Sequence, residues 1–211
     1  MYSYLERRGV QHLVHFTRAS NVPSILRNGL MSRDALRLRG ITHVINDPHR
    51  FDHLTNAVCI SISFPNYKMF YRLRKEYPEE DWVVLRLRAD LVDVKRCAFS
   101  YCNAATKEIA DSSIESRTTL AALAGMFSDH DGMPARSTLR IPDHYTTNPQ
   151  AEILVLDRIE PRYIVDVIID AKERVKNLEA VSALAREHKG DAKFLHGKNL
   201  FDGRADYSFW R

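Results

Sequence analysis

Two short runs in the last third of the chain, Glu152 to Leu156 (EILVL) and Ile164 to Ile169 (IVDVII), are apolar, largely β-branched and only five or six residues long. Runs of that kind read as strands, so the chain must build a sheet, and the remaining periodicity decides what covers it. Ala57 to Phe64 (AVCISISF) sets Val58, Ile60 and Ile62 on one side and Cys59, Ser61 and Ser63 on the other, as a strand does. Val10 to Phe16, Trp82 to Leu87 and the shorter Ala98 to Tyr101 read the same way. A helix follows the first strand, opened by Ser20-Asn21-Val22-Pro23, with Ile25, Leu26 and Leu30 on one face and Gly29 near its end. Tyr67 to Tyr77, Ser112 to Phe127 and Lys172 to Lys189 also have helical spacing. Met31 to Asn56 has little period and reads as a long, mostly irregular or weakly helical segment, Ser128 to Pro149 reads as a long loop, and Lys193 to Trp210 reads as an irregular tail. Strands and helices do not alternate regularly, so the expected class is α+β rather than a doubly wound parallel sheet. With 211 residues, one domain spanning 1–211 is expected.

The formal charge of +4 and a pI near 9.0 permit a polyanionic partner without requiring one. Cys59, Cys97 and Cys102 are odd in number and form no CxxC pair, which points to a reducing, cytoplasmic setting. No apolar run approaches the ~18 residues of a membrane span, so no membrane association is expected. GxGxxG, Walker, HExxH and GxSxG motifs are all missing, which sets aside the common dinucleotide folds, P-loop enzymes, zinc proteases and serine hydrolases. His12 and His15 are three apart on a strand and so point to opposite faces. His43, His49 and His53 lie near Asp47 and Asp52 without diagnostic ligand spacing, and no metal site is expected.

Three features remain that can carry chemistry. His15-Phe16-Thr17 ends a strand just before a turn into a helix, where side chains face a crevice; read alone, it is a buried histidine and a turn former. Arg50 closes Asn46-Asp47-Pro48-His49-Arg50; a lone loop arginine is usually solvated, yet its fork of donors suits a diphosphate or a planar base. Asn148-Pro149-Gln150-Ala151-Glu152 runs straight into Ile153 to Leu156. Gln150 and Glu152, two apart on an extended backbone, point the same way, so one face presents an amide and a carboxylate at the mouth of an apolar strand.

Taken together, HFTRASNVPSILRNGL, the irregular segment ending in Arg50, ISFPNYKMFY and NPQAEILVL resemble, in order and spacing over roughly residues 10 to 170, the DarT family of toxin–antitoxin ADP-ribosyltransferases. The resemblance implies two small, mainly antiparallel sheets around an NAD cleft with helices surrounding them. NAD is then the co-substrate, a base of single-stranded DNA the acceptor and nicotinamide the leaving group. It further implies an antitoxin of macrodomain or ADP-ribosylglycohydrolase type. By the same resemblance Glu152 and Arg50 are catalytic, and His15, Phe16, Thr17, Ser24, Arg50 and Tyr71 bind NAD. Gln150, Tyr145 and Arg140 would meet the acceptor, with Arg117 and Arg136 along a phosphate backbone and Phe127 or Tyr145 stacked on a base. Asn66-Tyr67-Lys68-Met69-Phe70-Tyr71 departs from the Pro-rich segment of thymine-directed members and leans the expectation toward guanine. The alternatives are an ADP-ribosyltransferase acting on RNA or protein, and a non-catalytic nucleic-acid-binding module of the same fold.

Overall fold

Residues 1–45, 54–170 and 192–210 are described by a computed structural model. Among the described residues seven strands form: β1 (His12–Arg18), β2 (Val58–Ile62), β3 (Trp82–Arg88), β4 (Cys97–Ser100), β5 (Glu152–Val155), β6 (Ile164–Asp170) and β7 (Lys193–Gly197). They lie in one sheet in the order β4-β5-β2-β1-β3-β6-β7. Every pairing is antiparallel except that of β6 with β7. The helices are α1 (Tyr2–Arg7), α2 (Val22–Asn28), α3 (Arg33–Leu38), α4 (Tyr67–Glu76), α5 (Leu91–Val94), α6 (Lys107–Ala110), α7 (Leu120–Gly125) and α8 (Arg136–Leu139). The α+β class expected from the sequence is the one observed.

The two small sheets expected are instead two halves of one sheet, joined by a narrow seam. Strands β1 and β2 share only the pairs Leu13↔Ile62 and Val14↔Ser61. Beyond that seam His15, Phe16, Thr17 and Arg18 stay on β3, while Val58, Cys59 and Ile60 stay on β5. The halves therefore part between β1 and β2, and a gap opens in the middle of the sheet.

Alternation along the strands supplies three cores. Leu13, Val83, Leu85, Ile60, Ile153 and Val155 share one face with Val22, Ile25 and Leu26 of α2 and with Leu5 and Leu123. On the other face of the β1–β3–β6 half, Val14, Val84 and Ile168 pack with Phe70 and Leu73 of α4 and with Phe201. On the β4–β5–β2 half, Ala98, Leu154 and Cys59 pack with Cys102, Ala104 and Ile109. The two coverings of that face are separate clusters, which leaves the gap approachable between them.

Several expectations need correction. The helix expected over Ser112 to Phe127 is broken into a 3-10 turn, Glu115–Arg117, and α7. Thr119 restarts the chain there by accepting a 3.1 Å hydrogen bond from the Ala122 amide, an N-cap in the middle of the expected helix. The weak helicity expected after Met31 is met by the short α3, capped by Ser32. The tail holds β7 and a 3-10 turn, Tyr207–Phe209. The helix expected over Lys172 to Lys189 lies outside the described residues. Among the described residues no helix is long and apolar enough to cross a membrane.

Candidate active site

The gap between the half-sheets is a cavity of about 520 Å³, within the size range of small-molecule sites. Its lining draws on both halves: His15, Phe16 and Thr17 of β1, Val58, Cys59 and Ile60 of β2, Gln150 beside β5 and Glu152 at its start. Ser24 of α2 also faces it, as do residues from Gly29 to Arg33.

His15 bridges the gap where the ladder stops. Its Nδ1 lies 2.8 Å from the carbonyl oxygen of Cys59. A carbonyl only accepts, so Nδ1 carries the hydrogen and donates, which makes Nε2 of the neutral ring an acceptor. Burial pulls the His15 pKa below its ordinary value, although the Cys59 hydrogen bond works the other way. Thr17 is buried and its Oγ1 accepts from Asn21 Nδ2 at 3.1 Å. Phe16 turns its ring to the opposite face, stacked on Phe70 with centroids 4.6 Å apart.

Asn21 pins the wall in front of these residues. Its Nδ2 donates to Val44 O at 2.8 Å and its Oδ1 accepts from Val44 N at 2.9 Å, so one side chain pairs with a distant backbone residue as a strand would.

Glu152 is placed by the first position of β5 and by a 2.7 Å hydrogen bond that its Oε1 accepts from the Ala104 amide. Two residues earlier, the Gln150 amide donates to Asn148 Oδ1 at 2.8 Å, which shapes the turn into the strand. Arg33, Lys68 and Arg72 also line the cavity, and Glu152 is the single acidic residue among its described lining. An anionic ligand whose other end develops positive charge suits that distribution.

The structure thus brings His15, Phe16, Thr17, Ser24, Gln150 and Glu152 to one cavity. Arg50 lies outside the described residues. Tyr71 is not part of the lining and is 58% exposed. Because α4 buries Phe70 and Leu73 in the core, Tyr71 falls on the solvent side, and Lys68, Met69 and Arg72 meet the cavity instead. Arg140 is exposed and lies outside the lining. Tyr145 packs its ring on Phe64 at 5.6 Å and is half-buried, again outside the lining.

Three loop roles are corrected. Arg117 is buried with Nη1 donating to Ser100 Oγ at 3.3 Å, and Phe127 is buried in the main core. Arg136 donates to the carbonyls of Tyr145 (2.8 Å) and Pro142 (3.2 Å), closing the loop on itself. Residues the sequence reasoning missed include Asn21, Lys68 and Arg72. Lys68 and Arg72 were within reach of it, four apart on a helix whose buried phase is set by Phe70 and Leu73. Among the described residues no group of three metal-ligating side chains comes together.

The sheet is parted at its centre, with a carboxylate at a strand head on one lip and a histidine on the other, the arrangement that the resemblance to ADP-ribosyltransferases implies. Solved structures share this fold. Thermosipho africanus DarTG in complex with ADP-ribose is 17% identical with a TM-score of 0.60, over 90% of this chain and 51% of that one. This chain therefore spans about half the length of that protein. Thermus sp. 2.9 DarT in complex with NAD+ is 12% identical with a TM-score of 0.54, over 91% of this chain and 98% of that one. Thermus sp. 2.9 DarT in complex with ADP-ribosylated ssDNA is 13% identical with a TM-score of 0.53, over 92% and 97%. Residues 14–194 match the model of the family described as "DarT: ssDNA thymidine ADP-ribosyltransferase, DarT". The chain belongs to the DarT family. No curated protein matches it.

Proposed function

We propose that the protein transfers ADP-ribose from NAD to a base of single-stranded DNA. The observation that carries the reading is that Glu152 and Gln150 open into the same cavity as His15 and Thr17, across a gap in the sheet. NAD supplies the reactive bond, between ribose C1′ and the nicotinamide nitrogen. That bond breaks with its electron pair leaving on nicotinamide, a new bond forms from C1′ to a base atom, and the base loses a proton. Glu152, fixed by the Ala104 amide, meets the positive charge that gathers on the ribose. His15 presents Nε2 as an acceptor to the nicotinamide side, while Ser24 and Thr17 add hydroxyls. Arg33, Lys68 and Arg72 offer cations to the diphosphate or to DNA phosphates, and Gln150 orients the acceptor. Arg50 retains the catalytic role that the family resemblance gives it.

The family description names thymidine, and thymine is the acceptor we favour. Guanine is the second reading, and it rests on the Asn66–Tyr71 segment alone, part of which, Asn66, Lys68 and Met69, lines the cavity. The cytoplasmic setting and an antitoxin that removes or blocks the modification belong to the same proposal. Mass spectrometry of short single-stranded oligonucleotides, each varied at one base and incubated with protein and NAD, tests it. An adduct of about 541 Da, the mass of a transferred ADP-ribose, on thymine-containing oligomers is expected. An adduct only on guanine establishes the second reading, and one only on RNA or protein replaces the acceptor. Absence of NAD consumption overturns the enzyme.

A further inference from the structure

The residues that precede Gln150 and Glu152 are held by a segment that lies beyond the family match, which ends at residue 194. Arg204 is 2% exposed and Asp206 1%. The Arg204 guanidinium donates from Nη1 to Thr146 O at 2.9 Å and from Nη2 to Thr147 O at 3.1 Å. Its Nε donates to Asp206 Oδ1 at 2.9 Å, a second ion-pair contact joins Nη2 to Asp206 Oδ2, and Trp210 Nε1 donates to that same Oδ2 at 2.8 Å. Buried arginine is costly unless its donors are matched. Here its fork is spent on two consecutive backbone carbonyls, a use for which lysine has no equivalent.

The same segment is rooted on the other half of the sheet. Phe201 is buried beside Val14, Phe70, Trp82 and Ile168, and its carbonyl accepts from Arg74 of α4. Only Asp202 and Gly203 separate Phe201, anchored on the β1–β3–β6 half, from Arg204, bonded to the loop that enters β5. The segment thus ties the β1–β3–β6 half to the loop that enters β5. Thr147 is next to Asn148, whose Oδ1 accepts from the Gln150 backbone N–H at 2.8 Å, so the bonds of Arg204 lie three and four residues before Gln150 in the chain.

We infer that Arg204 is a positioning residue that sets Gln150 and Glu152 relative to the opposite half-sheet, with Phe201 and Asp206 fixing where its guanidinium sits. Within the proposed reaction, on which this inference rests, its loss misplaces Glu152 without touching the surface that His15, Thr17 and Asn21 offer to NAD. A misplacement of about 1 Å costs on the order of 10²-fold in rate.

The test is steady-state kinetics on Arg204→Lys and on the double variant Arg204→Met/Asp206→Leu, which removes both buried charges together and so leaves none unpaired. Amide hydrogen exchange over residues 141–150 is measured on the same proteins. The expected result is a KM for NAD within about twofold of the unaltered value, kcat for transfer lower by about 10²-fold, and faster exchange confined to that loop. Unchanged kcat in a folded variant overturns the inference, as does kcat and KM moving together with exchange faster across the whole sheet. If the unaltered protein consumes no NAD, the functional reading has failed by itself. Exchange then still reports whether Arg204 holds the loop, and unchanged exchange overturns that too.

Discussion

Glu152 and His15 face the same cavity with opposite requirements on charge. The proposed reaction needs Glu152 as a carboxylate, and glutamine in its place keeps one oxygen to accept from the Ala104 amide while exchanging the other for an NH2 group and removing the charge. Glu152→Gln should therefore fold normally, bind NAD within a few-fold of the unaltered protein and lose about 10²- to 10³-fold or more in transfer. Binding titration alongside the transfer assay checks this, and equal activity would remove the carboxylate from the mechanism. The role proposed for His15 needs the neutral ring, and burial favours that form. Its folded pKa lies below the ordinary value of 6.5, so the unfolded chain takes up the proton first as pH falls, and stability declines on going below about 6.5. His12 and His144, also lowered mainly by burial, add to the same slope. Melting temperatures measured from about pH 7 to about pH 5 should fall, and His15→Gln should flatten part of that fall. An identical profile in the variant would show that His15 is solvated.

Gly29 shows at the level of an element how the cavity wall is built. It ends α2 with φ of 79°, and a Cβ there would lie 2.2 Å from the Ile159 carbonyl oxygen, where Leu30 and Ile159 exchange two 2.9 Å backbone hydrogen bonds. Gly29→Ala combines left-handed strain with a backbone clash and should cost about 2–4 kcal/mol, lowering the melting temperature by roughly 5–15 °C. Thermal unfolding checks it, and a shift under a degree would mean that α2 can move away. The sequence made Gly29 legible only as a helix end; the approach of Ile159 comes from a segment 130 residues later. The same contrast runs through the fold. Strands β1 to β6 were readable because alternation or apolar runs reflect burial on one or both faces. Strand β7 was not, since it lies at the sheet edge with mostly exposed side chains and no alternation to read. Within the site, Gln150 and Glu152 were legible because two residues on one strand share a face. Asn21 was not, because its value lies in a bond to Val44, and Arg117 and Arg136 looked like surface cations because sequence does not distinguish a buried arginine from a solvated one.

For the molecule as a whole, the modest excess of positive charge matters through where it is placed. Arg33, Lys68 and Arg72 meet the cavity, and Arg140 stands exposed on the loop leading to Gln150, with φ of 51°. Affinity for single-stranded DNA should fall as salt rises, with Arg140→Ala reducing the slope of log affinity against log salt by about 1. Arg117→Ala and Arg136→Ala should lower the melting temperature instead, because their guanidinium groups bond the protein itself. Titrations at several salt concentrations separate the two behaviours, and a slope unaltered in Arg140→Ala would put the strand elsewhere. The bond from Arg204 to Thr146 and Thr147 has one more consequence, in time. Translation adds Arg204 well after Glu152, and domains fold as they emerge. A ribosome-bound chain can thus complete the strand that bears Glu152 while the group that braces it is still unmade. The head of β5 would therefore gain its brace only once the segment from Phe201 to Asp206 has also emerged.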